Sequence, residues 1–287
     1  MSLRKSFSCA WVEFNKWLFD SRMLVMIILI IFIYVFAVDP LLNNARLMGE
    51  KLNMLEPFIA ISNSGAILLI VPVVFLTLIS DYPRIDTNTA FFISRVGRKS
   101  WLLGQIIKLV FCAISYLAII FLGAVIPMIG KGFWGNDWSR VALEFTSRFP
   151  EKAGNFGVQL LPDNLYNQME VIPAAVESYL MVFLYLIVIG LILLFFSLVK
   201  SKGIGFVVCG LVISLGTALC AVKSQLMWTM PMANSIIWLH YTSYYSTPIV
   251  PLWYSEGYMC GLIALFILLS SLAIKRFDYD NVMEVTF

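Results

Sequence analysis

The sequence predicts an all-α integral membrane protein, with six transmembrane helices, an N-terminal amphipathic surface helix and an outer re-entrant region before the last helix. Composition is the first reason. Of the residues, 60% are hydrophobic and 13% charged, against roughly a quarter charged in ordinary globular domains. A water-soluble fold has no interior large enough for that apolar surface, whereas lipid covers it directly. The second reason is that apolar residues gather into charge-free runs of about the 20 residues that cross a hydrocarbon core. The third is that Lys and Arg concentrate in alternate connecting segments.

Residues 1–22 read as an amphipathic helix lying on the inner membrane surface. Phe7, Trp11, Phe14 and Leu18 recur at helical spacing, while Glu13, Lys16 and Asp20 fall elsewhere. The first apolar run begins only at Met23, too far along for a cleavable leader, so the first span is expected to double as the insertion signal. That span, 23–39, ends at Asp39-Pro40, where a helix can leave the membrane. Further spans fall at about 58–80, 101–128, 178–199, 203–222 and 256–274. Each is helical, because lipid offers a backbone no other partner.

With the N-terminus inside, the inner segments and Lys108 hold thirteen Lys and Arg, and the outer segments hold seven. Both termini are therefore expected on the cytoplasmic side of a cell membrane. Lys108, one or two turns into the third span, is expected to snorkel back to the inner surface. The outer segment 129–177 is rich in Gly, Pro and Asn and reads as loops around one or two short helices. Residues 224–255 carry no charge, so a seventh crossing competes there with a re-entrant outer segment. Prolines at 231, 248 and 251 and the crowding of Trp and Tyr favour the re-entrant form.

Chemistry is sparse. The formal net charge of +3 by itself argues neither for nor against nucleic acid, and no nucleic-acid partner is expected. No glycine-rich phosphate cradle is present, since Gly130-Lys131-Gly132 lacks the pattern, so the chain is not expected to be an ATPase itself. One histidine, His240, rules out a H-E-x-x-H metal site, and no catalytic constellation can be built on it. Cys9, Cys112, Cys209, Cys220 and Cys260 form no C-x-x-C pair and read as packing residues. Asp39, Glu56, Glu177 and Glu256 fall at outer ends of spans, where water reaches them, so no buried carboxylate marks a proton path.

The inner segment 81–100 is the most informative. An apolar patch, Ala90 to Ile93, is held at the surface by flanking charges. It suits docking into a groove of a soluble partner, while Arg95, Arg98 and Lys99 alone would serve as an ordinary inner anchor. The string Ser94-Arg95-Val96-Gly97-Arg98-Lys99-Ser100-Trp101-Leu102-Leu103-Gly104, with the surface helix, the large outer loop and the outer re-entrant region, resembles the ABC-2 type permease family. Asp81 and Asn88-Thr89 stand where that family often has a glutamate and a Gly-Thr pair, and Arg95-Val96-Gly97 replaces a commoner Arg-Pro string.

The resemblance implies the permease subunit of a bacterial exporter, and the large apolar and aromatic composition suggests that the substrate moved outward is hydrophobic or amphipathic. The resemblance implies no cofactor on this chain, with ATP and Mg held by a separate ATP-binding subunit. It also implies pairing as a homodimer or with a related permease, within membrane lipid. Segment 81–100 would be the coupling loop, with Asp81, Arg84, Arg95 and Arg98 against the ATPase and Trp11, Phe14 and Trp17 of the surface helix flanking the dock. His240, Tyr241 and Tyr244 are the candidate outer gate. Two other classes stay open: a non-transporting scaffold or sensor subunit, and a membrane-embedded enzyme.

Overall fold

The computed structural model describes residues 3–84, 93, 95–199, 202–242 and 248–276. Helix α1 (Leu3–Leu18) leads through a short turn into α2 (Leu24–Ile33), which continues through a π turn at Tyr34–Val38 into α3 (Asp39–Met48). There follow α4 (Glu56–Asn63), α5 (Gly65–Leu78), α6 (Arg98–Val125), α7 (Arg140–Arg148), α8 (Val171–Val199), α9 (Lys202–Ala221) and α10 (Leu252–Arg276). Among the described residues five helical stretches are long and apolar enough to cross a membrane: Ser21–Met48, Arg98–Met128, Val171–Val199, Lys202–Ala221 and Leu252–Lys275. Helices α4 and α5 qualify only as a pair, bent by 80°.

The first long helix does not stop at Asp39-Pro40. It runs on to Met48 and ends at Gly49, whose φ of 69° gives a left-handed cap. Pro40 has no N–H to return to the preceding turn, and the π turn just before it absorbs the misfit, with Asp39 N donating to Tyr34 O.

Helix α8 is the central post, with nearly every side chain from Met181 to Leu194 buried. It lies so close to α6 that a Cβ added at Gly190 would meet Leu109 Cδ1 at 2.3 Å. Helices α9 and α10 flank this post with most of their outward side chains exposed and apolar, as a lipid-facing helix requires.

The break between α4 and α5 falls at Ser64, whose extended backbone (ψ 115°) ends one helix and starts the next. A broken helix leaves carbonyls and N–H groups without intrahelical partners, and here side chains supply them. Asn63 Nδ2 donates to Ile59 O (3.1 Å) and to Ser178 Oγ on α8 (2.8 Å). Asn63 Oδ1 accepts from Ile237 N (3.1 Å), and Asn63 O accepts from Trp238 Nε1 (2.7 Å). One buried amide therefore joins α4, α8 and the segment before α10.

At that same end the chain builds a small lobe. Strand β1 (Leu52–Asn53) pairs in parallel with β2 (Gly132–Phe133), and α7 is followed by short turns at Pro150–Lys152, Phe156–Gln159 and Asp163–Tyr166. Val141, Phe145, Leu160 and Leu165 bury this lobe against the helices, in one continuous core. Glu56 corrects the sequence expectation of a water-reached carboxylate. It is 0% exposed and accepts from Ser139 N (2.6 Å) and Ser139 Oγ (2.9 Å), fastening the start of α7 onto α4. The described residues of 224–251 hold short helical turns, Gln225–Thr229, Pro231–Ser235 and Ile237–His240, with no helix of crossing length among them, and Leu252 already begins α10.

Candidate functional site

The residues singled out in the sequence converge at the opposite end of the bundle, where α1, the segment after α5 and the starts of α6 and α9 meet. Asp81 is the centre of a three-element node. Its Oδ2 accepts from Arg22 Nη2 at the start of the first long helix, and its Oδ1 accepts from Lys202 Nζ at the start of α9 (3.3 Å). Arg22 Nη1 also donates to Ser80 Oγ (2.9 Å). Partial burial would raise the Asp81 carboxyl, but the Arg22 hydrogen bond and the Lys202 charge outweigh it and hold the group below the usual carboxylate range.

Beside the node, α1 is seated on α6. A Cβ at Gly104 would lie 3.0 Å from Ser6 O and 3.3 Å from Cys9 Cβ, so the two backbones nearly touch there. One turn further along α6, Lys108 is 5% exposed and faces Glu13 (3.7 Å) and the Tyr82 ring (5.6 Å to its centroid). Lys108 therefore does not snorkel to the surface as the sequence suggested, because Glu13, itself 7% exposed, meets it inside. Glu13 also accepts from Lys16 Nζ (3.0 Å).

Trp17 Nε1 donates to Leu78 O (2.9 Å), tying the last turn of α5 to α1. The buried seam of α1 runs along Ser6, Cys9, Ala10, Glu13 and Trp17. The aromatic stripe that marked the helix in the sequence lies on its flank, where Phe7, Trp11 and Phe14 gather around Phe111. Trp11 remains 51% exposed, and Phe14 stacks on Trp17.

The remaining residues assigned to an ATPase dock have distinct places. Arg84 lines a small crevice of about 20 Å3 with Asp81, Tyr82, Lys16 and Lys108. Arg95 lines a groove of about 600 Å3 beside α1. Arg98 Nη1 donates to Lys275 O (2.8 Å), so the start of α6 caps the end of α10. Residues 85–92 and 94, which include most of the apolar patch of the expected coupling loop, lie outside the described residues.

At the far end, His240 and Tyr241 do not line the large cavity. His240 is buried, with Nδ1 2.8 Å from Val250 O and Nε2 3.4 Å from Asn234 O. Both partners are carbonyl oxygens and a neutral imidazole has one N–H, so the shorter contact places the proton on Nδ1, donating to Val250 O. Tyr241 O accepts from Asn164 Nδ2 (2.9 Å). Tyr244 lies outside the described residues. A cavity of about 700 Å3 instead opens beside the α4–α5 break, lined by Asn63, Ser64, Phe145, Phe156, Lys223 and Trp238 among others.

Sequence reading missed Arg22, Lys202, Glu13 and Asn63. The first two were counted only as inner positive charges. The signal for Glu13 was its spacing from Trp17 on one helical face. Asn63-Ser64-Gly65 was a polar interruption within an apolar run, the usual mark of a broken span.

No family model, curated protein or solved structure matches the chain. Its helices define the class on their own: an α-helical protein of the multi-pass membrane type, with five helices of crossing length among the described residues and a sixth candidate in the bent pair. Among the described residues no group of three or more His, Cys, Asp or Glu side chains is placed to hold a metal ion.

Proposed function

We propose that this chain is the membrane subunit of an ATP-driven exporter, with ATP and Mg bound and hydrolysed by a separate subunit beneath it. The α4–α5 pair counts as one bent span, giving six spans with both ends on the cytoplasmic side of a bacterial cell membrane. Residues 224–255 form the outer re-entrant region. The observation that carries the reading is the node at Asp81. The connection between the second and third spans is gripped by Arg22 on one helix and Lys202 on another. Trp17 and Arg98 extend the grip to α5 and α10. A partner that pushes on segment 81–100 therefore moves at least five helices, which is what a subunit without its own ATPase needs.

Exposed Val207, Leu211, Ser214 and Ala218 recur at helical spacing on α9. They offer an exposed uncharged face, small at Ser214 and Ala218, on which a second permease, identical or related, can pack. The outward-moved substrate is hydrophobic or amphipathic. The mixed lining of the cavity beside the helix break, with Phe145, Phe156 and Trp238 next to Asn63, Asp163 and Lys223, supports an amphipathic one.

The test is affinity purification of the intact chain from its native membranes in mild detergent, with co-purifying chains identified by mass spectrometry. A stoichiometric ATP-binding subunit is the expected result. Its reproducible absence from intact protein would replace this reading with a scaffold or sensor subunit.

A further inference from the structure

The groove beside α1 has a chemistry that neither the node nor the far cavity shares. Its charged lining residues are Arg4, Lys5 and Arg95, all cations, and none of its described lining residues is acidic. The nearest carboxylate on α1, Glu13, points to the other side, where Lys16 and Lys108 hold it. The rest of the lining, Ser8, Cys9, Val12 and Val96, is small or apolar. Val12, 43% exposed, gives the groove wall an apolar surface beside those cations. The close seat of Ser6 and Cys9 on Gly104 fixes α1 against α6, so one wall of the groove is preformed.

We infer that this groove binds one anionic phospholipid, its phosphate between Arg4, Lys5 and Arg95 and an acyl chain along Val12 and the exposed face of α1. Three positive charges around one concavity favour an anion, and a polar anion alone would leave the apolar part of the lining, Val12 and Val96, uncovered. A phospholipid satisfies both halves at once. The inference concerns the chain by itself and does not depend on any ATPase.

The full chain, purified and stripped of lipid in detergent, is incubated with phosphatidylglycerol or phosphatidylcholine, and retained lipid is counted by native mass spectrometry. Phosphatidylglycerol is expected to be retained at one per chain and in clear preference to phosphatidylcholine. The variant Arg4→Gln with Lys5→Gln and Arg95→Gln should weaken that retention on the order of a hundredfold. Arg4→Lys with Arg95→Lys should keep most of it and serves as the control that substitution leaves the fold intact. Equal retention of the two lipids, or undiminished phosphatidylglycerol on the neutralised variant, would overturn the inference. So would equal thermal stabilisation by inorganic phosphate alone, which would make this a free-anion site. Loss of a co-purifying acidic protein from the neutralised variant, with lipid retention unchanged, would make it a protein dock instead.

Discussion

Lys108 and Glu13 form a buried pair whose partners sit on different helices, α6 and α1, and only Glu13 has a second cation, Lys16, within reach. Removing one member of such a pair strands the other in a poorly solvated site, whereas removing both leaves only a packing change. Glu13→Gln is therefore expected to destabilise the protein by about 3 kcal/mol, and Lys108→Met added to it should recover most of that loss. Thermal unfolding of the two variants and the wild type in one detergent reads the comparison. Additive losses would show that the two side chains do not act as a pair. Asn63 makes the same point with an uncharged group. Its amide has partners on both its nitrogen and its oxygen, so a buried polar residue becomes a joint between elements.

Among the elements, α1 departs furthest from the simplest picture of an amphipathic helix. Its most hydrophobic stripe is not its most buried one. Phe7 and Trp11 lie outward, and the seam against α6 is made of Ser6, Cys9, Ala10, Glu13 and Trp17. The reason is separation: Gly104 lets the backbones approach until only small side chains fit between them. Gly104→Val should force α1 away, at a cost of about 1–3 kcal/mol for overpacking. Hydrogen exchange should then rise at α1 amides and stay unchanged in α8. Unchanged protection of α1 would mean that its attachment rests on Trp17 and Glu13 alone. The break at Ser64 follows a related logic, since a bent helix persists only where neighbouring elements supply its missing hydrogen bonds.

Across the whole molecule, the polar ties gather at the two ends and the apolar packing lies between them. Arg22, Asp81 and Lys202 join one end, and Glu56 and Asn63 join the other. The Asp81 carboxyl is held below the usual carboxylate range by Arg22 and Lys202, despite an opposing effect of burial. It therefore binds protons less readily folded than unfolded. Its contribution is complete above the ordinary carboxylate range and disappears as the pH falls through its depressed folded value. All three side chains of the node are more than a third exposed or close to it, so the contribution is small, about 0–1 kcal/mol. Asp81→Asn should lower stability at neutral pH by that amount and leave stability below the carboxylate range unaltered. A deficit that persists undiminished in acid would show that the variant acts through packing rather than charge.

The sequence by itself determined that this is a helical membrane protein and roughly where each crossing helix lies. Apolar run length and composition are local properties, and the bilayer imposes one solution on them. It also drew attention to Asp81, Arg84, Arg95 and Arg98, because charges are rare enough here for each cluster to stand out. The tertiary structure decided what those charges touch. Asp81 finds Arg22 and Lys202, Arg98 finds the end of α10, and Lys108 finds Glu13. It also carried the first long helix through Pro40, and made a joint of Asn63 where the second span bends. Those side-chain contacts join partners 59 to 177 positions apart in the chain, and a run of residues records its own hydrophobicity but not which distant neighbour will meet it.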